Sequence, residues 1–479
     1  MLAKGHLLFY RVIGYDYIPL QALLYMDKKK YKAKGYIHFD NRVSINKVET
    51  KIKNPDWVAR HGFYPFIHFK ITFKKYNKKH NGENSKERDI YYASHLDSYI
   101  YKYYGEKLNE YYNRVVRELG FNDVAIAYRN NLSGQSNIHF AREVINFIKS
   151  NDRAYIYVAD FTKFFDRIDH EYLKEKLKFV LKQQSLPKDY YTVFKNITKY
   201  SYIEKEKIDA VLGEKYSKED IRNLHRLFNT KEFRIFKKNS ILRNLSGFGI
   251  PQGAGISSIC SNIYLLDFDQ RVSTYVKGHK GLYRRYCDDI IIVIPVEGDI
   301  EGYDYQSHIN FIEDVKTSIP RLEIQPEKTG HYYYSNSKIL SISENLRVSK
   351  LDYLGFSFDG RCVRIREKSL FKYYTRAYRK VRICNRKSRE FGRKSYRKSL
   401  YRNYTHLGKK RKGHGNFLSY VSRAQKVFDE DSSTVNLMNR QIKKHWKRIN
   451  KRLEKVQNGG KDMYFKRILK ELSVFKKED

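Results

Sequence analysis

The chain has 479 residues and carries 95 Lys and Arg against 53 Asp and Glu, a formal charge of +42. Its 41% hydrophobic and 15% aromatic content, with 43 Tyr against 8 Pro, excludes a wholly disordered basic tail and implies two to four folded units. So large a positive excess selects polyanionic partners, nucleic acid ahead of an anionic membrane surface.

Segment 1–90 alternates short apolar runs with Lys-rich turns such as Lys28-Lys29-Lys30 and Lys78-Lys79-His80-Asn81-Gly82, and it reads as short strands and loops. Residues 91–150 read as helical. Leu96, Ile100, Tyr103, Tyr104, Leu108 and Tyr111 recur at helical spacing, as do Ala141, Val144, Ile145 and Ile148. The run 155–159 predicts a buried strand ending at Asp160. Segment 170–245 is polar and mostly helical. Residues 282–296 predict strand, turn, strand, with Cys287-Asp288-Asp289 at the tip. Residues 351–366 predict a hairpin turning at Asp359-Gly360. Residues 361–412 then hold 21 Lys and Arg against two Glu, a local charge of +19. Leu370, Tyr374, Ala377 and Val381 keep helical spacing there, so this is an amphipathic basic helix suited to a polyanion. No apolar run of about 18 residues predicts a membrane span. The first residues lack the pattern of a secretory signal. The four Cys form no Cys-x-x-Cys pair, which argues against a zinc site and suits a reducing cytoplasm.

Three carboxylates carry chemistry. Asp160 closes a strand, and Asp288 and Asp289 sit at a strand–turn–strand tip. A lone Asp at a strand end is commonly a turn former or helix cap. Two adjacent Asp flanked by buried strands repel one another unless something positive lies between them. Hard Mg²⁺ accepts carboxylate oxygens and keeps positions for substrate phosphates. Spacing alone therefore points to metal-dependent phosphoryl transfer.

Here the chain resembles the reverse transcriptases over roughly residues 85–360. Val158-Ala159-Asp160-Phe161-Thr162-Lys163-Phe164-Phe165-Asp166 resembles their first catalytic motif. Gly249-Ile250-Pro251-Gln252-Gly253, with Ser257 and Asn262-Ile263-Tyr264-Leu265, resembles the second. Tyr286-Cys287-Asp288-Asp289 resembles the catalytic box, Leu322–Thr329 the next motif, and Tyr353-Leu354-Gly355-Phe356 the primer-grip hairpin. The resemblance implies an α+β, right-hand polymerase. It would have an N-terminal region and fingers (1–150), an RRM-like palm of antiparallel sheet and packed helices (151–360, with a helical insertion at about 172–245), and a basic helical thumb with a C-terminal extension (361–479). It implies that Asp160, Asp288 and Asp289, with the Phe161 carbonyl, hold two Mg²⁺, Mn²⁺ being an alternative. Lys328 would give a proton to pyrophosphate. Phe165 would be the steric gate that selects dNTPs. Gln252 and Gly253 would meet the nascent base pair and sugar.

Arg88-Asp89-Ile90-Tyr91-Tyr92-Ala93 with Asp97 resembles the fingers motif of group II intron enzymes, so Arg88 and Lys86 would clamp the triphosphate. Arg129 would touch template or brace the fingers. Tyr286, Tyr353, Leu354 and Gly355 would meet template and primer. In the thumb, Arg376, Arg379, Lys380, Arg386, Arg389 and Arg393 would hold RNA. Tyr373, Tyr374, Tyr378, Tyr396, Tyr401 and Tyr404 would stack on bases or fill the thumb core. The pattern His95-Leu96-Asp97-Ser98, Ala127-Tyr128-Arg129 and Asn137-Ile138-His139-Phe140-Ala141 most resembles the bacterial defence-associated, "unknown group" reverse transcriptases. That resemblance implies a cytoplasmic antiphage enzyme with a structured non-coding RNA as template and scaffold, a DNA product, homo-oligomers built with RNA and no membrane. Retron and intron-type enzymes, an inactive RNA-binding protein of this fold and an RNA-dependent RNA polymerase are the rival readings. No appended zinc endonuclease or ribonuclease H is expected.

Overall fold

The computed structural model describes residues 26–77, 82–409, 415–429 and 432–454. Two short helices, α1 (Glu49–Lys53) and α2 (Pro55–Arg60), come early. Asn54 separates them. Its side chain accepts the Trp57 N–H at 3.0 Å, and Pro55 fills the first helical position, where no N–H is needed. Residues 1–25 lie outside the described residues; in the rest of 1–90 the expected short strands are instead one long hairpin, β1 (Phe66–Asn77) and β2 (Gly82–Tyr92), registered from Ile67↔Tyr92 to Asn77↔Gly82. Cross-strand pairing along its whole length overrides the poor strand propensity of its Lys, Asn and Glu residues. The turn 78–81 lies outside the described residues.

The helices expected over 91–150 are α3 (His95–Glu118) and α4 (Asn137–Lys149). Ile100, Tyr103, Tyr104 and Leu108 are buried on the first, and Ala141, Val144, Ile145 and Ile148 on the second. Asp97 is buried at the start of α3. It accepts the Tyr64 N–H at 2.9 Å and pairs with His61 at 2.7 Å, an anchor for the hairpin's entry.

β3 (Arg153–Asp160) leads into α5 (Phe164–Arg167), α6 (His170–Leu181) and α7 (Lys188–Thr198). β4 (Ser201–Glu204), α8 (Lys205–Lys215), α9 (Lys218–Asn223), α10 (Thr230–Ser240) and β5 (Leu242–Arg243) follow. The helical insertion therefore contains two strands. β4 pairs in parallel with β1, extending the hairpin to a four-stranded sheet in the order β2-β1-β4-β5. Rings explain the attachment: Tyr91, Tyr200, Tyr202 and His68 pack edge and face within 6.0 Å of one another.

Next come α11 (Ser257–Tyr264), α12 (Leu266–Gly278), β6 (Leu282–Tyr286), β7 (Asp289–Pro295), α13 (Tyr305–Thr317), β8 (Gly330–Ser335), β9 (Lys338–Ser341) and β10 (Arg347–Ser349). With β3 they complete the antiparallel sheet expected for a palm, in the order β10-β9-β8-β3-β7-β6. Its centre is buried on both faces. Tyr155, Tyr157, Ala159, Ile290, Ile292 and Ile294 face one core; Ala154, Ile156, Ile291 and Val293 face the other. Two-sided burial is why these strands read as unbroken apolar runs rather than alternating ones.

The hairpin expected at 351–366 is a three-stranded sheet: β11 (Leu351–Tyr353), β12 (Phe356–Phe358) and β13 (Val363–Ile365). Leu354 and Gly355, with φ of 45° and 94°, make a first two-residue turn, and Asp359-Gly360 starts the second. The first turn falls in Tyr353-Leu354-Gly355-Phe356, the stretch that resembles the primer-grip hairpin, although a Leu rarely takes positive φ. The basic region then forms α14 (Glu367–Glu390) and α15 (Arg397–Tyr404), followed by α16 (Phe417–Phe428), α17 (Leu437–Ile442) and α18 (His445–Asn450). Ala377, Val381, Cys384, Leu400 and Ile449 make a small core of their own. Among the described residues no helix is long and apolar enough to cross a membrane.

A backbone contact also joins the hairpin to the second-motif loop. The Tyr91 N–H donates to the Gln252 carbonyl at 2.9 Å. Gly253 has φ +122°, and a Cβ there would stand 2.3 Å from the Tyr91 carbonyl oxygen. Only glycine fits. Gly253→Ala should lower stability by about 1–3 kcal/mol, read as a lower denaturation midpoint.

Candidate active site

The site starts from sheet register. β3 and β7 are neighbours, and Asp160 pairs with Asp289 across them. Both acids leave the sheet at the same end. The turn of Cys287 and Asp288 joins β6 to β7, closed by the Tyr286↔Asp289 pair, and brings Asp288 to that end. The Phe161 N–H donates to the Asp288 carbonyl at 3.2 Å, tying the two motifs together.

Charge at this end is incompletely balanced. Asp160 is 7% exposed, and its Oδ1 is buried without a hydrogen-bond partner. Its Oδ2 forms an ion pair with the Lys328 ammonium. Asp289 keeps an exposed edge, yet the protein packed around its carboxyl, and then the Asp288 charge, push it up to about 6. Arg366 pulls in the opposite direction. Among the described residues no group of three His, Cys, Asp or Glu is gathered into a metal cluster. The donor set still suits a hard divalent cation. It is all oxygen, and it includes a buried, unpartnered carboxylate oxygen.

Around the acids the structure places the other expected residues unevenly. The Phe161 ring is buried against Phe164 and Phe268. Phe165 is half-buried on α5, and its carbonyl accepts the Ile250 N–H at 2.9 Å, which joins the first motif to the second. Gln252 is half-buried and Gly253 exposed. The close approach that Gly253 makes is to the Tyr91 carbonyl of β2. Arg88 is exposed on β2 opposite Ile71. The Lys86 side chain lies outside the described residues.

Arg129 braces the protein. Its Nε donates to Asn113, its Nη1 to the Asn122 and Ala125 carbonyls at 3.1 Å and its Nη2 to Asn122 Oδ1 at 2.6 Å, and the guanidinium stacks on Tyr112. These contacts make Arg129 a brace between α3 and the loop that follows it. Tyr353 is also corrected: it is 4% exposed, so its ring packs in the core and offers primer no surface. Leu354 and Gly355 form the turn beside it, and the Leu354 carbonyl accepts the Asn137 Nδ2 at 2.9 Å. Tyr286 is half-buried next to the catalytic turn.

In the thumb, Arg376, Arg379, Arg386 and Arg393 are exposed. Lys380 lies over the Tyr396 ring, and Arg389 pairs with Glu454 at 3.4 Å. Of the six tyrosines only Tyr396, at 53%, is exposed. Tyr373 and Tyr374 are buried, Tyr404 accepts the Tyr373 hydroxyl at its carbonyl, Tyr378 lies under Arg452, and Tyr401 packs on Trp446. Five of the six rings therefore serve the thumb core, because a single helix stripe of Leu, Ala and Val is too thin to bury α14 alone.

Sequence reading missed both arginines of β6. Arg284 is 6% exposed and pairs with Asp123 at 2.8 Å and Glu143 at 2.5 Å. Arg285 is fully buried and pairs with Asp269, also fully buried, at 2.5 Å. The signal was present: two charges inside a strand that runs into a catalytic box are out of place unless each has a built partner.

Residues 107–358, more than half of the chain, match the family described as reverse transcriptase (RNA-dependent DNA polymerase). The chain belongs to this family and has the antiparallel, right-hand polymerase fold. No curated protein sequence matches it. Among solved structures it is similar to apo telomerase from Candida tropicalis, at 12% identity and a TM-score of 0.39, over 82% of this chain and 60% of that one. It is also similar to the Candida albicans telomerase in complex with a TWJ fragment of telomeric RNA, at 14% identity and a TM-score of 0.37, over 84% of this chain and 58% of that one. The chain thus spans under two thirds of the length of these telomerases.

Asp289 supplies a pH test. Its carboxyl holds a proton to about pH 6, above an unfolded carboxylate at about 4. Between those values the folded chain binds more protons than the unfolded one, so stability falls as pH rises through the window. Asp289→Asn removes that loss. In thermal melts with chelator, the variant should gain on the wild type between about pH 4.5 and 7.5.

Proposed function

We propose that this chain copies RNA into DNA in bacterial antiphage defence, with a structured non-coding RNA as template and scaffold. The observation that carries the polymerase reading is the Asp160↔Asp289 register, with Asp288 in the adjoining turn. Asp160, Asp288 and Asp289, with the Phe161 carbonyl, are the residues that would hold two Mg²⁺, or Mn²⁺ in their place. Held there, such ions would lower the pKa of the primer 3′-hydroxyl and stabilise charge on the leaving pyrophosphate.

The chain's own residues do the rest. Lys328 already sits on Asp160, and its ammonium can change partner to give a proton to pyrophosphate. The Phe165 ring closes the pocket against a ribose 2′-hydroxyl and so selects dNTPs. Arg88 clamps the triphosphate with its planar donors. Gln252, through a carbonyl fixed by Tyr91, orients the loop that meets the nascent pair. Tyr286, Leu354 and Gly355 face the primer end.

The defence assignment is supported by the sequence pattern across 95–141 and by the charge excess, which is larger than a short template–primer duplex requires. Oligomers assembled around RNA follow from the same excess.

The purified chain, with the RNA it retains, should extend a primer with dNTPs and Mg²⁺ and not with rNTPs. Asp288→Ala/Asp289→Ala should abolish extension, and Phe165→Ala should admit rNTPs at least about tenfold better. Absence of a dNTP product, or full activity in the double variant, contradicts the reading.

The exposed thumb arginines give a second expectation. Replacing Arg379, Arg386 and Arg393 by Gln should weaken RNA binding. The slope of log K against log salt should shallow by about 2–3, the loss of three phosphate contacts. Equilibrium binding at several salt concentrations reads this directly.

A further inference from the structure

The catalytic turn is held in a conformation that its own sequence disfavours. Cys287 has φ +62°, while Asp288 is not left-handed. Positive φ at the first turn position alone is the type II′ pattern, for which glycine is preferred. A Cβ in the left-handed region costs on the order of 1–2 kcal/mol. Something outside the turn has to hold it.

That support is visible. Arg285 Nη1 donates to the Cys287 carbonyl at 2.9 Å and to Asn262 Oδ1 at 3.1 Å. Its Nε and Nη2 grip both oxygens of Asp269, at 2.8 and 2.5 Å. The Tyr283 hydroxyl donates to Asp269 Oδ1 at 2.8 Å. The Arg285 backbone is fixed as well: its N–H donates to the Val124 carbonyl at 2.8 Å, and its carbonyl accepts the Ile126 N–H at 2.9 Å. Asn262 Nδ2 closes the ring by donating to the Ala127 carbonyl at 3.0 Å.

We infer that Arg285, clamped by Asp269, is a positioning residue that forces Cys287 into its left-handed turn and so sets where Asp288 and Asp289 point. The inference rests on the polymerase reading for its kinetic consequence, but not for its metal-binding consequence. A lysine at 285 keeps the charge pair with Asp269 but has no planar fork to reach the Cys287 carbonyl as well. Glycine at 287 takes the left-handed turn without the Cβ penalty and makes the clamp less necessary. The two changes should therefore compensate one another.

The full chain is tested as Arg285→Lys, Cys287→Gly and the double variant. Mn²⁺ binding is measured by electron paramagnetic resonance without substrate, and primer extension is measured separately. Arg285→Lys should weaken Mn²⁺ binding and lower kcat, each by about 10–100-fold, with KM for dNTP changed far less. Adding Cys287→Gly should recover at least half of that loss on a logarithmic scale. Should Arg285→Lys fail to fold, Arg285→Met/Asp269→Leu removes both charges together, a change that buried pairs commonly tolerate, and it should show the same losses. Wild-type Mn²⁺ affinity in a folded Arg285 variant overturns the inference, and so does a loss that Cys287→Gly leaves untouched. Normal Mn²⁺ binding changes without extension by any form, wild type included, would overturn the polymerase reading alone.

Discussion

A guanidinium and a carboxylate, both shut off from water, meet between β6 and α12. Arg285 and Asp269 are each 0% exposed, and their contact joins the edge of the palm sheet to the helices beneath it. The loop at 124–127, Asn262 near the end of α11 and the catalytic turn all hydrogen-bond to Arg285 or to one another. Desolvating two ions offsets most of their attraction, so such a pair adds little net stability. Breaking it is another matter, because one uncompensated charge would stay in the core. What the pair supplies is a single allowed arrangement of the turn that carries Asp288 and Asp289.

The same logic of enforced neighbours recurs through the site. Register alone places Asp160 against Asp289. Gly253 lets the hairpin backbone touch the second-motif loop, and the Ile250 N–H holds Phe165 to that loop. The acids are therefore gathered by backbone geometry before any cation neutralises them. The cost shows as an unpartnered Asp160 oxygen and a carboxyl at Asp289 that gives up its proton late. Lys328 offsets part of that cost. A basic chain of +42 thus brings its few decisive acids to one end of a sheet, with Lys328 paired to one of them.

Much of this was legible in the sequence, for physical reasons. Apolar runs ending in Asp160 and flanking Asp288 and Asp289 fixed the strands, because two-faced burial demands such runs. Helical spacing fixed α3, α4 and α14. What stayed hidden depends on contacts distant in sequence. Arg285 and Asp269 are 16 residues apart on different elements, and nothing local marks them as partners. β1 and β2 are too rich in Lys, Asn and Glu to look like long strands, and only their mutual pairing makes them so. The thumb tyrosines read either as base-stacking or as core rings, because a ring among arginines looks the same in both roles, and burial decides five of the six for the core. Arg129 posed the same ambiguity, and its asparagine and carbonyl partners resolve it as a brace.

The central claim is that the Asp160, Asp288 and Asp289 end of the sheet is a metal-dependent polymerase centre held ready by the protein around it. A structure of the chain with Mg²⁺, a primer–template and a non-hydrolysable dNTP tests it most directly. The account predicts metal on Asp160 and Asp289, with Lys328 released from Asp160 toward the phosphates and the Arg285–Cys287 hydrogen bond unchanged. Metal and nucleotide bound elsewhere, with Lys328 still paired to Asp160, would contradict it.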